Sequence, residues 1–234
     1  MQEILISLRK EIFKNVEEKK SLKIFFKEEV NILGVKTDTV VKIAKKYYEL
    51  IKDKTKEEVF YLCEELWKSG ILEETFIACN WSYKLKTKYE KKDFEIFEKW
   101  VDLYITNWAS CDTFCNHTVG EFLEKFPEYI SRLKIWAKSS NRWVRRASAV
   151  SLIVPARKGL FLKDIFEIAD ILLLDKEDLV QKGYGWMLKV ASQVYEKEVF
   201  EYVLSKKSVM PRTALRYAIE KMPKELKQIA MQRA

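Results

Sequence analysis

The chain has 234 residues, long enough for one large domain or a run of repeats with a substantial core. Lys and Arg outnumber Asp and Glu by 43 to 35, a formal charge of +8, while six Gly and four Pro leave helix punctuation sparse. No apolar run approaches the ~20 residues of a membrane span, and Met1–Lys10 lacks a signal peptide's apolar stretch, so a membrane protein is not expected.

The predicted elements are all helices. Apolar residues at helical spacing predict Gln2–Lys14, Ser21–Asn31 and Thr37–Lys52, the third opened by Thr37 or Asp38 as N-cap. Lys56–Lys68, Leu72–Tyr89 and Lys92–Thr106 follow, then Ser110–Phe126, which stops at Pro127. The remainder reads as Glu128–Lys138, Asn141–Val154, Leu162–Leu174, Lys176–Val194, Lys197–Ser205, Pro211–Lys221 and a short tail from Lys224. Connections of a few residues suit antiparallel helix pairs, and no linker interrupts residues 1–234, which read as a single domain. Four scattered Cys without a secretion signal point to a reducing cytoplasm rather than to disulfides.

A repeat organises the C-terminal half. Trp143–Val154 lies without a gap over Leu179–Val190 at an offset of 36 positions (179 minus 143), with a looser echo in Met210–Ile219. That interval fits a helix pair with its two turns, the unit of a helical solenoid. A basic residue, Arg146, Lys182 or Arg212, sits just inside the start of each copy. The expected fold is therefore an all-α superhelical stack of antiparallel helix pairs with a concave, basic cleft suited to a polyanion. Charge distribution agrees. Ser139–Lys158 holds Arg142, Arg145, Arg146, Arg157 and Lys158 without an acid, and Val203–Tyr217 holds Lys206, Lys207, Arg212 and Arg216, again without one.

Several constellations bear on chemistry. Trp108 and Asp112 share one helix face a turn apart, an aromatic surface beside a carboxylate that suits stabilisation of a cationic, sugar-like transition state. The alternative is a core Trp with Asp112 capping a turn near Asn107. Arg142, Arg145 and Arg146 share a face and need anions: either phosphates or the acids Asp175, Glu177 and Asp178 of a neighbouring helix. Trp186 stands in Gly183-Tyr-Gly-Trp, where two helical glycines cost about 1 kcal/mol each relative to Ala, so close packing or close approach of a ligand must compensate. Cys111, Cys115 and His117 form an incomplete zinc set, the chain having one His. No Walker loop, dinucleotide fingerprint, HExxH or serine-hydrolase elbow is present, which removes most common enzyme classes and leaves no metal or cofactor expected.

From about Asn31 to Met222 these motifs, in order and spacing, resemble the AlkD family of alkylpurine DNA glycosylases, DNA alkylation repair proteins built from HEAT-like repeats. The resemblance rests on Trp108-x-x-x-Asp112, Trp143-Val-Arg-Arg146-Ala, Val180-Gln-Lys-Gly-Tyr-Gly-Trp186-Met-Leu-Lys and Met210-Pro-Arg-x-x-Leu-Arg-Tyr-Ala-Ile, with Gly34-Val-Lys-Thr similar to the family's N-terminal entry. Leu33 stands where the family often has an aromatic, and Asp38-Thr-Val-Val where it often has a Pro and an Arg. The resemblance implies that Trp108, Asp112, Arg146 and Trp186 line a DNA cleft, and the repeat and the acid-free basic stretches add Arg142, Arg145, Lys182, Arg212 and Arg216 as candidate backbone contacts. It implies hydrolysis of the N-glycosidic bond of cationic N3- or N7-alkylated purines in duplex DNA by a cytoplasmic, nucleoid-associated monomer, without base flipping into a pocket and without strand cleavage. Asp112 would stabilise the oxocarbenium ion and position water, the Trp faces would contact the deoxyribose, and Arg146 would hold the backbone. Two alternatives from other classes are a non-catalytic module for distorted or branched DNA and a helical-repeat scaffold for acidic proteins.

Overall fold

Helices account for the regular structure of the chain in a computed structural model that describes residues 1–16 and 26–232, and among these residues there is no strand. The chain divides into two compact units, Met1–Phe114 and Cys115–Ala234.

In the first unit, α1 (Gln2–Lys14) packs on α2 (Thr37–Glu49), and α2 packs on α4 (Leu72–Lys84). Helix α4 is also flanked by α3 (Lys56–Lys68) and α6 (Trp108–Phe114), and α3 packs on α5 (Asp93–Tyr104). Thr55 and Glu58 form a reciprocal capping box that opens α3. The core is aromatic: Phe60 meets Trp100 edge-on at 5.6 Å, and Trp67 and Phe97 meet Phe114 edge-on at 5.5 and 5.7 Å. Arg9 clamps the buried Glu74 carboxylate with Nε at 3.0 Å and Nη2 at 2.9 Å, tying α1 to α4.

The second unit begins with a π-helical turn over Cys115–Val119 and continues through α7 (Gly120–Lys125), α8 (Ile130–Trp136), α9 (Arg142–Val150) and α10 (Ile153–Arg157). Then come α11 (Leu162–Leu172), α12 (Asp178–Ala191), α13 (Glu196–Lys206), α14 (Arg212–Ala218) and α15 (Lys224–Met231). The helices carrying the repeat, α9, α12 and α14, pack in that order with α12 in the middle, as stacked units of a helical-repeat solenoid do.

Several boundaries depart from expectation. Ser21–Phe25 of the second predicted helix lies outside the described residues, and Phe26–Val30 is not helical. Asn31 instead forms an isolated parallel bridge with Ile71, its carbonyl accepting from the Leu72 N–H at 2.9 Å. Neither Thr37 nor Asp38 caps α2; Lys36 occupies the cap without a side-chain bond, because the chain just before it is fixed from α4 instead. The predicted Asn141–Val154 helix breaks after Val150, and Pro155, which has no N–H to donate, falls in the first turn of α10.

A candidate DNA-facing site

Helix α6 starts two residues earlier than its apolar pattern suggests because Asn107 caps it, the Asn107 side-chain oxygen accepting from the Ser110 N–H at 2.9 Å. Ala109, Cys111 and Phe114 turn into the core, which leaves Trp108 and Asp112 partly exposed, one turn apart. The Trp108 ring stacks on Phe26 at 5.3 Å with an interplanar angle of 22° and packs against Val30, Ile32, Leu72 and Ala109. Beside it lies a pocket of about 170 Å³ lined by Phe26, Val35, Val40, Leu72, Phe76 and Trp108, with Thr37 and Glu73 as its polar members.

Glu73 builds the far wall of that pocket. Its buried carboxylate accepts from the backbone N–H groups of Leu33 (3.1 Å), Gly34 (2.8 Å) and Val35 (3.1 Å). Gly34 sits at φ +98°, a conformation that an L side chain rarely adopts, so glycine is what allows three successive donors to converge on one carboxylate.

In the second unit, Asn141 caps α9 through the Trp143 N–H at 2.9 Å. Arg146 is only 5% exposed; its side chain lies across Gly183, and its Nη1 donates to the Leu179 carbonyl of α12. A Cβ on Gly183 would come within 3.3 Å of Arg146 Cγ, and one on Gly185 would meet Tyr217 Cβ at 2.7 Å and the Ala214 carbonyl at 2.9 Å. Both glycines are therefore used for close packing, the first against an arginine and the second against α14. Trp186, next to them, stays partly exposed.

The remaining basic candidates divide. Arg145 bonds Asp175 at 2.6 Å and the Ser139 and Ser140 carbonyls at 2.9 Å each. Arg142 stacks over Trp143 at 4.8 Å and pairs with Glu177 at 3.3 Å, and Lys182 pairs with Asp178 at 2.7 Å. These are the acids weighed against phosphate in the sequence. Arg212 and Arg216 are exposed on α14, Arg212 reaching the Met231 carbonyl at 3.4 Å.

Trp108 and Asp112 thus belong to the first unit, and Arg146 and Trp186 to the second. Sequence reasoning missed Phe26 and Glu73. Phe26 lies in a segment that reads as helix, and Glu73 looks like an ordinary acid in a first helical turn, with nothing local in the sequence to set it opposite Gly34. Among the described residues no three His, Cys, Asp or Glu side chains converge as a metal site, and no helix is long and apolar enough to cross a membrane.

No curated protein matches the chain by sequence. Among solved structures, a predicted DNA alkylation repair enzyme from Enterococcus faecalis superposes with a TM-score of 0.77 at 16% identity, covering 86% of this chain and 93% of its own. The model of the DNA alkylation repair enzyme family matches residues 10–222, nearly the whole chain. The chain belongs to the DNA alkylation repair enzyme family.

Proposed function

We propose that the chain is a monofunctional alkylpurine DNA glycosylase that hydrolyses the N-glycosidic bond of N3- or N7-alkylated purines in duplex DNA. The observation that carries this is the sorting of its seven tryptophans. Trp67, Trp81, Trp100, Trp136 and Trp143 are buried, at 7% exposure or less, whereas Trp108 and Trp186 are partly exposed. A ring held partly open on a folded protein has a face to offer a ligand, and in Trp108 that face has a carboxylate one turn away.

The chemistry asked of such a site is modest. An alkylated purine carries a positive charge and leaves without an acid's help, so what remains is to stabilise the sugar cation and deliver water. Asp112 supplies negative charge where the oxocarbenium ion develops and accepts a hydrogen bond from the attacking water. Trp108 presents its π face to the deoxyribose beside Asp112; in the second unit Trp186 offers a π face to DNA, and Arg146 offers its charge to a backbone phosphate after giving up its Leu179 carbonyl bond. No enclosed base pocket is required, so the lesion stays in the duplex rather than flipping out. The protein works on the nucleoid as one HEAT-like domain and as a monomer.

The test is product analysis on a duplex with a single N7-methylguanine. Free N7-methylguanine and an intact strand bearing an alkali-labile abasic site are expected. Tight duplex binding without base release would overturn the proposal in favour of a module for distorted or branched DNA.

A further inference from the structure

Helix α4 carries both α6, which opens on Trp108, and the stretch of residues 26–35. The Leu72 N–H donates to the Asn31 carbonyl at 2.9 Å, and the Glu73 carboxylate accepts from the N–H groups of Leu33, Gly34 and Val35 at 3.1, 2.8 and 3.1 Å. Three successive residues are thereby fixed through their backbone by one side chain, itself only 2% exposed. Val30 and Ile32 of the same stretch are buried with Leu72 and Ala109, and Phe26 and Trp108 pack against that cluster. Phe26 then stacks on the Trp108 indole, the ring centroids 5.3 Å and the planes 22° apart. Trp108 does not set that plane by itself, because it is the partly exposed first residue of a seven-residue helix, too short to be stable without tertiary packing. With Asp112 one turn along the helix, the tilt of the indole decides where a sugar lying on it stands relative to the carboxylate.

We infer that Glu73 is a positioning residue for the hydrolysis: through residues 33–35 and Phe26 it sets the plane of Trp108, and with it the placement of the deoxyribose against Asp112. This rests on the glycosylase function proposed above, and Glu73 itself touches no substrate. Misplacing a reacting group by about 1 Å costs up to about 100-fold in rate. Duplex affinity, spread over many phosphate contacts, is much less sensitive to the tilt of one ring.

The experiment uses the full chain labelled with 5-fluorotryptophan, the Trp108 fluorine resonance being assigned by its loss in Trp108→Phe. Glu73→Gln keeps an acceptor for Gly34 and Val35 but turns a donor towards the Leu33 N–H. It is expected to move the Trp108 resonance more than those of the other tryptophans. Single-turnover release of N7-methylguanine at saturating protein, corrected for spontaneous depurination, is expected to slow by about 10- to 100-fold, with duplex affinity within about twofold. Phe26→Leu, which removes the stacked ring and leaves the Glu73 bonds in place, is expected to change both readings in the same way, and it decides the matter should Glu73→Gln fail to fold. An unmoved Trp108 resonance, equal movement of all the tryptophans, or an unchanged rate overturns the positioning role and leaves the glycosylase function standing. Release of no base by the wild type overturns both.

Discussion

Glu73 shows how much one side chain can fix. Its carboxylate gathers the N–H groups of Leu33, Gly34 and Val35, so it shapes the stretch leading into α2 and one wall of the pocket by Trp108. Glu73→Ala strands these donors in a buried setting, and a loss of about 2–4 kcal/mol in urea denaturation is expected. A loss below about 0.5 kcal/mol would mean that water replaces the carboxylate at no cost. The other residues of the candidate site were legible to different degrees. Trp108, Asp112, Arg146 and Trp186 could be picked from their motifs, and their partial exposure or close packing follows from helical position. Glu73 and Phe26 could not, because each acts on residues distant in sequence, and helical periodicity carries no information about such pairs.

Among the elements, α12 is where sequence and packing agree most closely. The offset that lays α9 on α12 sets Gly183 opposite Ala147 and Gly185 opposite Ala149, all small residues on helices that pack side by side. Replacing a helical glycine by alanine ordinarily gains about 1 kcal/mol. At Gly185 the new Cβ would stand 2.7 Å from Tyr217 Cβ and 2.9 Å from the Ala214 carbonyl, part of which is backbone and cannot swing aside. Overpacking of this kind costs about 1–3 kcal/mol, so Gly185→Ala is expected to lower the denaturation midpoint. A raised midpoint would show that α14 moves away freely. Most helices were readable from spacing, caps and proline. The failures have local causes: Asn107 started α6 early, Pro155 divided a helix that looked continuous, and Phe26–Asn31 lost its helical form to a bridge with α4.

On the scale of the whole molecule, the excess of positive charge matters through its distribution. Arg142, Arg145 and Lys182, which looked like a phosphate track, are engaged with Glu177, Asp175 and Asp178. The partly exposed Arg142 and Lys182 pairs are worth little and give way to phosphate, whereas the Arg145–Asp175 pair is largely buried and holds its arginine more firmly. Arg212 and Arg216, exposed on α14 without a carboxylate partner among the described residues, are proposed as the better phosphate contacts. The Arg212→Ala, Arg216→Ala double variant is therefore expected to bind duplex DNA more weakly and to flatten the plot of log affinity against log salt by nearly two in slope. An unchanged slope would place the backbone contacts elsewhere. The sequence revealed the all-α class and the repeat, because both are written in local periodicity. It did not reveal which charges are already neutralised, because that depends on how helices distant in sequence meet.

The central claim is that Asp112 drives glycosidic hydrolysis, and single-turnover release of N7-methylguanine from a labelled duplex, with the wild type beside Asp112→Asn, tests it most directly. Asp112 is partly exposed on a short helix and lies outside the core, so the Asn variant should keep its fold and its duplex affinity. Loss of a charge that stabilises the transition state typically costs about 10²–10³ in rate. Release by the wild type, reduced by that order in Asp112→Asn with binding intact, is the predicted result. Equal release by both proteins would contradict the role of Asp112, and release by neither would contradict the glycosylase itself.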